Sequence, residues 1–186
     1  MTGDGSFRKI GEREVHRGYA TRVVVSTFVG PGGEEFTRDV VHAPGAVAVV
    51  PIVGPPGEER VVLVEQFRAP LEAPLLEIPA GLRDKEGEPT DETARRELAE
   101  EAGYSAGSLE LLSTFHNAAG MTDQKTWVYL ATDLTPTASA ADGVEEDYLE
   151  VVEIPLADVP ARLASGEVSD AKTVIGLCLT LRRLGR

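Results

Sequence analysis

Three carboxylates, Glu97, Glu100 and Glu101, crowd into the stretch Arg96-Glu97-Leu98-Ala99-Glu100-Glu101-Ala102-Gly103-Tyr104. On a helix, residues three and four apart are neighbours, so the 97/100 and 97/101 pairs set like charges side by side at about 0.2–0.5 kcal/mol each. A bound divalent cation reverses that cost. Hard ions such as Mg²⁺ take oxygen ligands, usually one or two protein carboxylates, with water and substrate phosphate completing the shell. The plain alternative is a solvated acidic helix, since charge runs are commonly just that.

A helix is what must position them, and its ends are legible. Pro89 and Thr90 stand where it would start, with Thr90 as N-cap and Asp91 and Glu92 in the first turn, complementing the positive helix end. Gly103 suits the left-handed residue that closes it. Ala94, Leu98 and Ala102 recur every four residues as a narrow apolar stripe for docking on a core. One flanking row, Glu92, Arg96 and Glu100, alternates in sign as a salt-bridge ladder does. The other, Thr93, Glu97 and Glu101, has no positive member and is the candidate ligand face.

These residues resemble the second half of the Nudix box: Gly, five residues, Glu, seven residues, Arg-Glu, an aliphatic residue, any residue, Glu-Glu, any residue, Gly and an apolar residue. Glu88 stands eight residues before Arg96, as the box requires. Gly81 lies seven residues before Glu88 where the box has six, so the loop ahead of the helix carries one extra residue. Such an insertion can be absorbed in a loop without rotating the carboxylate face.

The composition is that of one globular enzyme domain: 186 residues, 42% hydrophobic and 26% charged. A net charge of −13 argues against a general electrostatic grip on nucleic acid or anionic membrane. It also makes a phosphate substrate awkward without a metal. The N-terminus, MTGDGSFRKI, has no apolar signal segment and no run reaches membrane-spanning length, so a cytoplasmic protein is expected. The single cysteine, Cys178, excludes an intrachain disulfide and reads as a small buried hydrophobe in a C-terminal helix. His16, His42 and His116 are scattered singly, without zinc-ligand spacing.

Strand patterns fill the rest. Tyr19 to Val29 and Glu35 to His42, around the turn Pro31-Gly32-Gly33, read as a hairpin. Gly45 to Val53 and Arg60 to Phe67 are buried-strand runs, and Leu75 to Pro79 leads into the box. Leu109 to Phe115, Thr126 to Ala131 and Tyr148 to Ile154 read as further strands. Asp133 to Asp147 reads as a polar loop, and Leu156 to Leu163 and Ser169 to Leu184 as helices. No internal repeat is present. The expected fold is α+β, a Nudix-type α/β/α sandwich with a mixed sheet plus an N-terminal antiparallel β-hairpin appendage. Its expected boundaries are 1–44, a hairpin region that dimerises, and 45–186, the Nudix hydrolase domain.

Glu65-Gln66-Phe67-Arg68 and Glu77-Ile78-Pro79-Ala80-Gly81 are similar to the approach to the box in Nudix ADP-ribose pyrophosphatases and ADP-sugar hydrolases. The resemblance implies Mg²⁺, with Mn²⁺ as a possible substitute, held by the Ala80 carbonyl, Glu97 and Glu101 with Glu100 lending further oxygens. It also implies a homodimer, and Arg68 meeting substrate phosphate; the alternative for Arg68 is pairing with Glu65 or Glu77. Arg38 is a candidate contact for the nucleotide base across the dimer. Glu145, with Glu146 beside it, is the candidate base from the loop after the box helix, and Glu100 is the fallback catalytic carboxylate. Gly120 belongs to the substrate loop Asn117–Gln124, where Ala119 replaces the usual proline and Gln124 stands where relatives often have Glu.

The implied activity is Mg²⁺-dependent hydrolysis of ADP-ribose or another ADP-sugar to AMP and a sugar phosphate. One alternative is a Nudix-fold sensor that binds a nucleotide or ADP-sugar without cleaving it. Another is a pyrophosphatase for NADH or nucleoside triphosphates.

Overall fold

The computed structural model describes residues 6–137 and 148–186. The chain divides into two compact units, one of residues 1–44 with 116–125, the other of residues 45–115 with 126–186.

The first unit is built on a three-stranded antiparallel sheet of β1 (Arg8–Arg17), β2 (Arg22–Val29) and β3 (Glu35–His42), in that order. The β2–β3 pair is the expected hairpin, in register from Arg22 opposite His42 to Val29 opposite Glu35. β1 was not legible in the sequence. All ten of its residues are exposed, so it carries no alternation of buried and polar positions, and pairing with β2 alone makes it a strand. Residues 116–125, which a boundary at 44/45 places in the second domain, cluster instead with this sheet. The Val41 N–H donates to the Met121 carbonyl at 2.9 Å, and Val41 bridges Thr122.

The second unit is a mixed sheet in the order β10 (Glu150–Pro155), β5 (Arg60–Arg68), β4 (Ala46–Val53), β9 (Lys125–Pro136), β8 (Tyr104–His116). β6 (Ala73–Glu77) lies on β5 and β7 (Ala80–Leu82) on β4. β4 pairs with β9 in parallel and with β5 and β7 antiparallel. The near-continuous apolar run of β4 follows from burial on both faces, because successive side chains point to opposite sides of a strand. Val47 and Val49 pack with Ala94, Leu98 and Ala102 of α1 (Thr90–Ala102). Ala48 and Val50 pack on the other side with Val159 of α2 (Val159–Ser165) and Leu177 of α3 (Ala171–Arg183). The result is the α/β/α sandwich. Leu156–Asp158, expected as the start of a helix, is a 3-10 turn leading into α2. β9 runs on to Pro136, so Asp133–Pro136 is strand where a loop was expected.

Two local expectations are corrected. Thr90 is not the N-cap of α1; Pro89 holds that place, and the Thr90 hydroxyl instead meets the Tyr129 phenol at 2.6 Å. Cys178 is exposed rather than buried, because α3 turns Leu177 and Thr180 to the sheet and Cys178 away from it. The other end of α1 is as expected, with Gly103 left-handed at φ 70° and its N–H donating to the Ala99 carbonyl.

Asp170 caps α3, its Oδ2 accepting from the Thr173 N–H at 2.9 Å and the Thr173 hydroxyl at 2.6 Å. Desolvation pushes its pKa up, but the Lys172 charge and the Thr173 donors outweigh it and hold the pKa below the ordinary carboxylate value. A lowered carboxylate pKa stabilises the fold above the unfolded pKa and ceases to do so as pH falls through the folded value. Asp170→Ala should therefore cost about 1–2 kcal/mol at neutral pH. Chemical denaturation should show that loss shrinking below about pH 4.

Candidate active site

The box helix reaches the sheet through its acidic row. Thr93, Glu97 and Glu101 are 0%, 6% and 8% exposed, so the row that could have been a solvated face is turned inward. Antiparallel pairing of β7 with β4, Val47 opposite Gly81 and Ala48 opposite Ala80, sets Ala80 and Gly81 under that row. The Ala80 N–H donates to Glu101 Oε2 at 2.8 Å. A Cβ on Gly81 would stand 2.0–2.2 Å from the Glu97 carboxylate atoms, so the Gly81 position is the cradle in which that carboxylate lies. The extra residue between Gly81 and Glu88 is taken up in a turn closed by the Glu88 N–H on the Lys85 carbonyl.

Arg96 is a cation set among these anions. Its Nη1 meets Glu97 at 2.6 Å and Glu100 at 2.9 Å, and its Nη2 meets Glu88 at 3.4 Å. Burial opposes its charge, yet the hydrogen bonds to Glu88 and Glu100 and the field of Glu97 win, and its pKa stands above the ordinary value. Glu88 accepts the Thr93 hydroxyl at 2.7 Å, which, with Arg96, holds its pKa below the ordinary value. The Arg96–Glu100 rung of the expected ladder is present, and Arg96 does more than that ladder required.

A second charged cluster lies at the end of the β5–β6 hairpin. Arg68 donates Nε and Nη2 to the two oxygens of Glu77 at 2.6 and 2.7 Å, choosing Glu77 over Glu65. Lys172 pairs with Glu77 from the other side and with Asp170 at 3.0 Å. The Ile78 N–H donates to the Thr173 hydroxyl at 3.0 Å, tying this segment to the start of α3. Sequence reading named Glu77 only as a partner for Arg68 and did not find Lys172. The available signal was a lone carboxylate in the apolar run Leu75-Leu76-Glu77-Ile78-Pro79.

Within the first unit, Arg38 and Gly120 line one recess of about 350 Å³, together with Phe28, His116, Ala119 and Met121. Arg38 lies over the Phe36 ring at 4.8 Å, and Phe36 stacks on Phe28 at 5.5 Å. Gln124 staples the loop, donating to the Pro44 carbonyl at 3.0 Å and accepting from Asn117 at 2.6 Å. Glu145 and Glu146 lie outside the described residues.

The donor set suits a hard divalent cation: carboxylate oxygens of Glu97, Glu100 and Glu101 and the Ala80 backbone. Two of those carboxylates are nearly out of water, where an unmatched anion is costly. Glu97 and Glu100 turn to Arg96, and Glu101 to the Ala80 N–H. Among the described residues, no three His, Cys, Asp or Glu side chains converge at metal-binding distance.

A helix-flanked mixed sheet with an inward acidic row set on a glycine strand defines a Nudix-type hydrolase. The chain belongs to the NUDIX domain family, whose model matches residues 42–174. It is similar to an ADP-ribose pyrophosphatase of Bacillus subtilis, 35% identical over 91% of this chain and 90% of that one. A methanol dehydrogenase activator of Bacillus methanolicus is 34% identical over the same shares. Among solved structures, an ADP compounds hydrolase superposes with a TM-score of 0.84 over 97% of both chains at 27% identity. Among the described residues, no helix is long and apolar enough to cross a membrane.

Proposed function

We propose that this Nudix hydrolase cleaves the diphosphate bridge of ADP-ribose or a related ADP-sugar, with Mg²⁺, to AMP and a sugar phosphate. The observation that carries the reading is the burial of Glu97 and Glu101 against Gly81 and Ala80, an arrangement a solvated acidic helix does not need. The similarity to an ADP-ribose pyrophosphatase supports the substrate class. Bound Mg²⁺ would neutralise the diphosphate, orient it and lower the pKa of a water.

Glu97, Glu101 and the Ala80 carbonyl would hold that ion, with Glu100 adjacent. Arg96 offsets the repulsion among the box glutamates before the ion arrives. Arg68 presents guanidinium N–H groups to a substrate phosphate, a planar fork suited to it. The aromatic floor and Arg38 in the recess of the first unit suit a nucleotide base, stacked on a ring and facing a cation. Exposed Phe7, just ahead of β1, and Ile10 and Val15 on β1 supply apolar surface for the second copy of a homodimer.

Incubation of the purified protein with Mg²⁺ and ADP-ribose, other ADP-sugars, NADH, diadenosine polyphosphates and nucleoside triphosphates tests this directly. Release of AMP from ADP-ribose or an ADP-sugar is expected. Binding without turnover of any of them would leave a sensor, and preferred turnover of NADH or triphosphates would move the substrate class.

Glu145 is proposed to take the proton from the attacking water. Glu145→Gln should lower kcat about 10²- to 10⁴-fold with little change in KM, the usual contribution of a positioned base. Glu146→Gln should do markedly less. If both variants and the double variant keep wild-type kcat over about pH 6–9, the proton goes to Glu100 or solvent instead.

A further inference from the structure

Glu77 is 1% exposed and closes an apolar strand. A carboxylate so placed is strongly destabilising unless its charge is matched and its oxygens hydrogen-bonded. Two cations do this. Arg68 covers both oxygens with its guanidinium, and Lys172 adds an ammonium contact at Oε2. Asp170 balances Lys172, so the positive pair and the negative pair leave the cluster neutral.

The two cations differ in access. The Lys172 side chain is 13% exposed and the Arg68 side chain 36%. Arg68 meets Glu77 through the edge formed by Nε and Nη2. A guanidinium has five donors in a fixed plane, so pairing through one edge keeps Nη1 and its outer edge for a second oxyanion. Glu77 fixes the plane and the reach of that outer edge. The hydrogen bond and charge of Glu77 raise the Arg68 pKa above its ordinary value, and the field of Glu101 of the box row adds to this.

We infer that Glu77 is a positioning residue for substrate: it aims the outer edge of Arg68 at a substrate phosphate, while Lys172 keeps the buried carboxylate matched when Arg68 shares its charge with the diphosphate. This rests on the reading of Arg68 as a phosphate contact. A brace that only ties β6 to α3 would be felt in stability alone.

The test is steady-state hydrolysis of ADP-ribose with Mg²⁺ by wild type, Arg68→Ala, Glu77→Gln and the double variant, with thermal midpoints alongside. Losing the charged phosphate contact in Arg68→Ala should raise KM about 10- to 100-fold. Glu77→Gln should raise KM about 5- to 30-fold with kcat nearly kept, as expected for lost substrate binding. Because Glu77 acts through Arg68, the double variant should be no worse in KM than Arg68→Ala alone. An unchanged KM in Glu77→Gln, or an effect that multiplies onto that of Arg68→Ala, overturns the inference. A normal KM in Arg68→Ala overturns the phosphate reading itself and is told apart by that variant alone. Should Glu77→Gln not fold, Glu77→Asp keeps the charge and withdraws the carboxylate by one methylene, and the same non-additive rise in KM is required of it.

Discussion

Glu97→Gln and Glu101→Gln should each reduce Mg²⁺-dependent hydrolysis by about 10²- to 10⁴-fold while the protein stays folded. If these residues are the metal ligands proposed above, their loss would remove several kcal/mol of metal-borne stabilisation of developing charge, and each 1.4 kcal/mol is about tenfold in rate. The fold has little reason to fail. Glutamine matches the shape of glutamate, and at position 101 its carbonyl oxygen can still accept from the Ala80 N–H now bonded at 2.8 Å. At position 97 the change removes one ion pair with Arg96 and relieves like-charge contacts worth a few tenths of a kcal/mol. Initial rates across a Mg²⁺ titration, with thermal denaturation as the folding control, separate the two effects. Wild-type rates in either variant would remove that residue from the metal site.

Gly81→Ala should lower kcat/KM by about 10²-fold or more, a loss comparable to deleting a ligand although no charge is touched. The added methyl would begin 2.0–2.2 Å from the Glu97 carboxylate, so the carboxylate or the strand must give way. Displacement of about 1 Å in a positioned catalytic group can cost 10²-fold. The effect is one of space and not of backbone freedom, since Gly81 is not among the left-handed glycines. Gly11→Ala is the matched control: it too is not left-handed, and nothing lies within 4 Å of its added Cβ. Equal activity in Gly81→Ala and Gly11→Ala would mean that the seat of Glu97 is without functional consequence.

Where the sequence alone was decisive, the signal was short-ranged and periodic. The apolar stripe Ala94, Leu98 and Ala102 and the closing Gly103 set the helix and the face it buries, and the spacing Glu88, Arg96-Glu97 and Glu100-Glu101 carried the family. β4 and β5 were legible because burial imposes a hydrophobic pattern, and β3 because the Pro31-Gly32-Gly33 turn marks it as the returning arm of a hairpin. Where burial imposes no pattern, as along the exposed β1, the strand could not be read.

Tertiary structure decided which partner each polar group takes. Arg68 had two carboxylates within reach in sequence, and the hairpin through Ala69–Leu71 gave it Glu77. Thr90 had the composition of a cap, and packing against β9 gave its hydroxyl to Tyr129. Cys178 sits one residue from buried Leu177, and the rotation of α3 put it outside. Lys172 reaches Glu77 across 95 residues of chain. Such choices depend on distances that only the packed sheet and helices define, because a helix or strand period says which way a side chain points and nothing about what another segment brings to meet it.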